Sequence, residues 1–152
     1  MSLPKVGTLL ALLVLMIPAG AQSLPDFLLA GGVSYDRYAE VPSVSGFGSL
    51  AIKLGSTPVY SFSTLELMSK TATLRTGAGY LVKQSGNFSL IALGDGGIAT
   101  GGGVTLSTFS GGGMLAYQIK KSLYYVMAAV RIRSIGTVSV QPVFEAGFAR
   151  GF

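Results

Sequence analysis

Hydrophobic and polar residues alternate along most of the chain after residue 22, and the alternation has a period of two. Because a β-strand points successive side chains to opposite faces, such a run has one apolar face and one polar or small face. The last run shows this clearly: Phe144, Phe148 and Phe152 share one face, whereas Glu145 and Gly147 share the other. The pattern therefore predicts β-strands.

Turn-forming residues divide the alternating region into eight predicted strands. These strands are Phe27–Tyr35, Phe47–Leu54, Val59–Met68, Thr73–Val82, Phe88–Leu93, Val104–Ile119, Leu123–Arg133 and a last strand that ends at Phe152. Asp36–Gly46 and Gly94–Gly103 are rich in Ser, Pro or Gly and are predicted to be loops. An even number of antiparallel strands can close, which removes unpaired edges. We predict an all-β fold, an eight-stranded antiparallel up-and-down transmembrane β-barrel.

Three observations favour a barrel whose apolar face points outward to lipid. The opposite faces of the strands are rich in Gly, Ala and Ser, which suit a narrow lumen. Charged residues make up only 11% of the chain, which is few for a water-facing surface, and the last residue is aromatic. A soluble barrel reverses the arrangement and places its apolar side chains inside. A secreted soluble ligand-binding β-barrel is therefore the alternative.

The first 21 residues have the pattern of a secretory signal peptide. Lys5 lies in a short leading segment, Leu9–Ile17 is continuously apolar, and Ala19-Gly20-Ala21 provides a small-residue cleavage site. The alternative, a transmembrane anchor, would need about 20 apolar residues, and this run is much shorter. We expect residues 1–21 to be cleaved and residues 22–152 to form the barrel.

The composition excludes several kinds of site. The chain has no cysteine and no histidine, so it has no disulfide, no thiolate or imidazole metal ligand and no serine–histidine pair. Its six acidic residues are scattered, and a net charge of +5 without a basic cluster does not indicate nucleic acid. Gly94–Gly103 lacks the Lys-Ser/Thr and the helix of a phosphate loop. We expect no enzymatic activity, no metal, no cofactor and no nucleic-acid partner.

Charged residues on the less apolar faces are predicted to meet inside the barrel. A buried charge is costly unless it is paired, so we expect an ion-pair network centred on Glu66, Glu145, Arg75 and Arg131. The predicted lumenal polar residues are Lys53, Glu66, Arg75, Lys83, Arg131, Arg133 and Glu145, with Asp95 near an outer rim. The network would act either as a gate or selectivity filter with a cationic excess, or as a plug in a lumen that eight strands leave nearly filled.

The strand pattern resembles that of the small outer-membrane β-barrels of Gram-negative bacteria, the OmpA-like, OmpX-like and opacity-like families. Those families end in a recognition signal for the barrel-assembly machinery, in which a polar residue, a glycine, a hydrophobic residue and a final aromatic residue recur at fixed spacing. The residues assigned to this C-terminal assembly signal are Glu145, Gly147, Phe148 and Phe152, of which Glu145, Gly147 and Phe152 match its specified positions. Arg150 departs from the signal, which has a hydrophobic residue at that position. Near a membrane interface an outward arginine costs only about 0–1 kcal/mol.

The resemblance implies a location and an orientation. The protein would lie in the outer membrane as a monomer, with its chain ends in the periplasm, surrounded by outer-membrane lipid and assembled by the barrel-assembly machinery. The residues expected in its aromatic girdles are Phe27, Tyr35, Tyr80, Phe88, Tyr124, Phe148 and Phe152. We predict a structural or surface-interaction role with a plugged, charge-lined lumen, and a minimal porin-like pore for small solutes is the alternative.

Overall fold

The computed structural model describes residues 23–38, 41–135 and 137–152 and shows them as a closed antiparallel barrel. Its strands are β1 (Phe27–Tyr38), β2 (Val41–Lys53), β3 (Val59–Met68), β4 (Thr71–Ser85), β5 (Phe88–Gly101), β6 (Val104–Ile119), β7 (Ser122–Ile135) and β8 (Thr137–Gly151). Each strand pairs with the next, and β8 pairs with β1. The predicted all-β, eight-stranded antiparallel fold is confirmed. The predicted signal peptide at residues 1–21 lies outside the described residues.

The direction of the chain defines two ends of the barrel. We call the end that holds the start of β1 and the end of β8 the terminal end, and the opposite one the far end. Short turns join the strands: residues 54–58, 86–87 and 120–121 at the terminal end, and residues 69–70 and 102–103 at the far end. Gly86 and Gly102 have φ values of 57° and 59°, which glycine adopts without strain and which allow tight turns. No helix in the described ranges is long and apolar enough to cross a membrane.

Two stretches predicted to be loops are strand over most of the residues that the structure describes there. β1 continues through Asp36 to Tyr38 and β2 begins at Val41, while β5 continues to Gly101. The polar residue Asp36 is fully buried, and Ser45 is nearly so. Both loop predictions are wrong, because polar and small residues in these stretches occupy the inward positions of long strands instead of exposed turns.

The outward faces of the strands carry apolar side chains. Val126 and Phe144, for example, are 57% and 53% exposed. Outward-facing charged side chains in the described strands are Arg37, Lys83 and Arg150, and each lies within two positions of a strand end. The strands are between 10 and 16 residues long. A membrane-spanning β-strand needs about 9–11 residues, so these strands are long enough.

The lumen has two halves of different composition. Its terminal half is apolar, with a buried cluster that contains Leu24, Phe47, Tyr60, Leu123 and Tyr125. The rings of Phe47 and Tyr125 lie 6.4 Å apart, centroid to centroid. Its far half contains buried charged side chains from several strands. The two halves therefore offer different chemistry inside a single barrel.

Candidate functional site

Buried charged side chains meet in the far half of the lumen, and we call this group the charge cluster. Its members are Asp36, Glu66, Arg75, Asp95, Arg131, Arg133 and Glu145. The strands that supply no charged member, β2 and β6, supply the serine hydroxyls of Ser45 and Ser110. Alternate residues of each strand point inward, and the lumen of an eight-stranded barrel is narrow, so side chains of all eight strands reach one another.

Arg75 on β4 is the centre of one part of the charge cluster. Its Nη1 donates a hydrogen bond to Asp95 Oδ2 at 2.9 Å, and its Nη2 donates to Glu145 Oε1 at 2.7 Å. Its Nη2 also lies 3.3 Å from Glu66 Oε2. One guanidinium group, only 2% exposed, therefore ties β4 to three other strands.

Arg131 and Arg133 on β7 form the other part of the charge cluster. Arg131 Nη1 donates to Asp36 Oδ2 at 2.9 Å and lies 3.2 Å from Glu66 Oε2. Its Nη2 lies 3.6 Å from Glu145 Oε1. Arg133 donates to both carboxylate oxygens of Asp36. Because Glu66 faces both Arg75 and Arg131, it connects the two parts.

Serine hydroxyl groups satisfy further carboxylate oxygens of the charge cluster. Ser45 Oγ donates to Glu66 Oε1 and Ser110 Oγ donates to Asp95 Oδ1, both at 2.6 Å. Ser34 Oγ donates a longer hydrogen bond, of 3.4 Å, to Glu145 Oε1. Burying a carboxylate is tolerable only when its oxygens have such partners. The cluster is therefore a connected hydrogen-bonding network and not a set of isolated ion pairs.

Glycines let β4 and β5 approach closely around Arg75 and Asp95. A Cβ atom at Gly97 would lie 2.1 Å from the Leu74 carbonyl oxygen, and one at Gly77 would lie 2.2 Å from that of Gly94. No side chain fits at these distances unless the backbone shifts. These inward glycines thus allow β4 and β5 to bend and approach each other closely beside the charge cluster.

The structure brings together Glu66, Arg75, Arg131 and Glu145, the four residues expected at the centre of the network. It also places Arg133 beside them, bonded to Asp36. Sequence reasoning missed Asp36, which falls in a predicted loop. The available signal was strand parity, since Asp36 follows Ser34 on the same inward face.

Asp95 lies inside the barrel, and the prediction that it lies near an outer rim is wrong. Its carboxylate accepts hydrogen bonds from Arg75 and Ser110. With Asp36 and Asp95 included, the described cluster has four carboxylates against three guanidinium groups. The expected cationic excess is therefore wrong for this set of residues.

The two predicted lumenal lysines are not part of the charge cluster. Lys53 lies at the terminal rim, where its Nζ is 3.7 Å from Asp26 Oδ1 and both side chains reach solvent. Lys83 is exposed, because a β-bulge between Leu81 and Lys83 shifts the register and pairs Lys83 with the outward residue Leu90. The lumenal prediction for Lys83 is wrong for this reason.

The residues of the predicted assembly signal occupy different environments. Glu145 belongs to the charge cluster, whereas Phe148 and Phe152 point outward and are 41% and 67% exposed. A Cβ atom at Gly147 would lie 2.6 Å from the Tyr125 ring, so glycine makes room for that phenol. Arg150 is exposed beside the terminal end. Recognition by assembly machinery stays a prediction.

Aromatic side chains gather at the terminal end of the outer surface. Their contacting pairs are Phe27 with Phe152 at 5.9 Å, Tyr124 with Phe148 at 5.3 Å and Phe88 with Tyr117 at 4.7 Å between ring centroids. Tyr117 was not among the predicted girdle residues. Tyr80 is exposed in the same half, and Tyr35 is exposed near the far end. Their role as membrane girdles stays a prediction.

The charge cluster offers no ready ligand set for a metal ion. Each of its carboxylates lies within 3.3 Å of a guanidinium nitrogen. Within residues 23–38, 41–135 and 137–152, no group of three or more acidic side chains is placed to hold such an ion. The chemistry that the arrangement supports is ion pairing between strands.

Two solved structures are similar to this chain. One comes from the "De novo design of transmembrane beta-barrels", with a TM-score of 0.53 and 14% sequence identity over 86% of this chain and 98% of that chain. The other is the "Solution NMR structure of de novo designed TMB2.3", with a TM-score of 0.53 and 14% identity over 87% of this chain and 98% of that chain. This likeness shows the fold, which is similar to that of transmembrane β-barrels. No protein-family model matches the chain, and no curated protein does.

Proposed function

We propose that this chain is an outer-membrane β-barrel with a structural role, and that the charge cluster plugs its lumen. The inverted polarity of the barrel carries the proposal. Outward Val126 and Ile98 are 57% and 52% exposed, whereas inward Arg75 and Arg131 are 2% and 1% exposed. In water, so much exposed apolar surface would be unfavourable, but in lipid it is the favoured surface of a barrel.

Several features support a membrane location. Closure of the barrel gives every strand a hydrogen-bonded neighbour on both sides, so no strand is left as an open edge, as lipid requires. The outward charges Arg37, Lys83 and Arg150 lie near strand ends, where long side chains reach headgroups. Export through a cleaved signal peptide and assembly through the C-terminal signal are the sequence features that favour the outer membrane and the OmpA-like, OmpX-like or opacity-like families.

The geometry of the charge cluster supports a plug over a pore. Arg75 lies on β4 and Glu145 on β8, which are on opposite sides of an eight-stranded barrel, and their side chains are 2.7 Å apart. Arg131 and Asp36 add a second contact across β7 and β1. An ion could pass only by separating these paired charges, which is costly in a low-dielectric lumen.

The far end supports a structural role over a surface-interaction role. The turns that join β3 to β4 and β5 to β6 at this end contain only residues 69–70 and 102–103. Binding surfaces of small barrels are built from longer loops, which carry functional side chains. These two short hairpins give little surface for a partner outside the cell.

The membrane claim is tested by fractionation combined with gel migration of unboiled and boiled samples. We expect the protein in the outer-membrane fraction and a folded form that migrates differently from the boiled form. A folded pool in the soluble periplasmic or extracellular fraction would instead support the secreted ligand-binding barrel.

The plug is tested by conductance of the purified, refolded protein in planar bilayers. We expect no channel events from the wild type. Because Leu24 is buried in the apolar half of the lumen, it is changed to Ala in both test and control proteins. In that background, Arg75→Ser with Glu145→Ser removes the contact across the lumen and should produce small channels. The matched control, Lys53→Ser with Asp26→Ser in the same background, removes only the exposed pair at the rim and should stay silent. Steady channels from the wild type would overturn the plug and support the minimal pore.

A further inference from the structure

A cavity of about 100 Å³ lies in the terminal half of the lumen, next to the charge cluster. Most of its wall is apolar and includes Phe62, Ile91, Leu93, Met114 and Met127. Interiors of folded proteins are normally close-packed, and a void of this size forfeits dispersion contacts. The apolar half of the lumen is therefore incompletely filled by the protein's own side chains.

The wall of this cavity offers few hydrogen-bonding partners to a water molecule. Ser49 Oγ already donates to the Ser63 carbonyl oxygen at 3.1 Å, and the Tyr60 hydroxyl donates to the Pro25 carbonyl oxygen at 3.3 Å. A buried water needs about 2–4 polar partners, and cavities lined by apolar side chains stay dry and accept benzene or xenon. The cavity is thus suited to apolar molecules.

A short segment, Ser23–Asp26, crosses the terminal opening of the barrel, and we call it the strap. Leu24 of the strap is 4% exposed and contributes to the cavity wall. Gln118 Nε2 donates a hydrogen bond to the Ser23 carbonyl oxygen, and the Tyr60 hydroxyl donates one to the Pro25 carbonyl oxygen, both at 3.3 Å. These two bonds are longer than the usual 2.7–3.2 Å, whereas Asp26, where the strap joins β1, accepts a 2.7 Å hydrogen bond from the Lys53 N–H. The part of the strap from Ser23 to Pro25 is therefore held more weakly than its junction with β1.

The charge cluster determines which molecules the cavity accepts. Asp95 and Glu145 contribute to the wall beside Arg75. Since the cluster has more carboxylates than guanidinium groups, an anionic ligand would meet an acidic neighbour. A cationic ligand would lose its hydration against the apolar wall. Both arguments favour neutral molecules.

We propose that the cavity is a binding site for small neutral apolar molecules, namely a single aromatic ring or a short alkyl chain, which enter from the terminal end when the strap moves. A cavity of about 150 Å³ accepts benzene, so xenon fits the cavity of about 100 Å³ as it stands, and a ring requires Leu24 to withdraw. The site goes beyond the structural role proposed above and depends only on the closed barrel.

Methionine methyl groups report directly on this site. Met114 and Met127 line the cavity, whereas Met68 lines a separate far-half cavity of about 20 Å³, too small for xenon. The folded protein, labelled with ¹³C at methionine methyl groups and held in lipid nanodiscs, is titrated with xenon and then with benzene. We expect the Met114 and Met127 resonances to shift saturably and several-fold more than that of Met68. Equal shifts at all three methionines would overturn the proposal.

Two kinds of variant test the cavity and the strap separately. Ala51→Leu fills part of the cavity and should reduce the xenon-induced shifts several-fold, and Ala30→Leu serves the same purpose if the first variant does not fold. Leu24→Ala should increase the response to benzene, while Leu54→Ala at an exposed terminal turn should leave it unchanged. Undiminished xenon shifts in a folded cavity-filling variant would contradict the site. A soluble protein in fractionation would contradict the membrane proposal and not the cavity.

Discussion

The two halves of the lumen are filled by different kinds of interaction. In the far half, charged side chains are tied by directional contacts such as Arg75 to Glu145 at 2.7 Å. In the terminal half, Phe47, Leu123 and Tyr125 pack without such contacts and leave a cavity. Ion pairs need every partner in place, whereas apolar packing tolerates a void. One barrel can therefore combine a rigid partition with an adaptable pocket.

Replacing Arg75 should produce the largest loss of stability. Arg75→Met leaves Asp95 and Glu145 buried without their main partner, and we expect the free energy of unfolding to fall by about 3–5 kcal/mol. Urea titration of the protein folded into lipid vesicles measures this change. The control Lys53→Met breaks a partly exposed pair and should cost about 0–1 kcal/mol. Similar costs for the two variants would mean that the buried charge cluster stabilises the barrel no more than an exposed ion pair at the rim.

Truncating the apolar half should be costly for a different reason. Leu123 is 3% exposed. Leu123→Ala removes buried apolar area and enlarges the cavity, so we expect the free energy of unfolding to fall by about 2–4 kcal/mol in the same titration. Adding Glu145→Gln should recover part of the loss caused by Arg75→Met but none of that caused by Leu123→Ala. Recovery in both backgrounds would show that the two halves are energetically coupled.

A glycine substitution tests whether the charged half depends on backbone curvature. Gly97→Ala forces a Cβ atom towards the Leu74 carbonyl oxygen, and we expect a loss of about 1–3 kcal/mol. Gly48→Ala is the control, because a Cβ atom there meets nothing within 4 Å. If Gly97→Ala were as well tolerated as Gly48→Ala in urea titration, curvature at this point would not be required.

The smallest effect on stability is expected outside both halves, at the last residue. Phe152→Lys places a charge near the terminal interface, which should cost about 0–1 kcal/mol in refolded protein. The amount assembled in the outer membrane of cells, measured by the folded band on unboiled gels, should nevertheless fall several-fold. Normal assembly together with normal stability would mean that Phe152 is not part of an assembly signal.

Much of the charge cluster could be predicted because two simple rules suffice. Strand parity identifies the inward residues, and a narrow closed lumen forces inward charges such as Glu66, Arg75 and Glu145 to meet. Asp36 and Asp95 obey the same rules, but they lie in Ser- or Gly-rich stretches that resemble loops. Composition is a weak guide to loops in a barrel whose small and polar residues line the lumen.

Other features depend on details that alternation does not contain. The bulge at Leu81 and Lys83 inserts one residue and reverses the parity beyond it, so Lys83 faces outward. Leu24 lies before the first strand and contributes to the lumen only because the strap folds back over the opening. Tyr60 and Phe62 break the apolar-out pattern of β3 because they line the apolar half of the lumen.

The outward charges near the strand ends give the barrel a defined hydrophobic height. On β1, Arg37 lies near the far end, and Arg150 pairs with Leu29 near the start of the same strand. The interval from Leu29 to Arg37 is about 26 Å along the strand, or roughly 20 Å along the axis of a barrel with a tilt of about 40°. An average bilayer core is about 30 Å thick, and the bacterial outer membrane is thinner. In the proposed setting, hydrophobic mismatch would itself favour the thinner membrane as the place where this protein is retained.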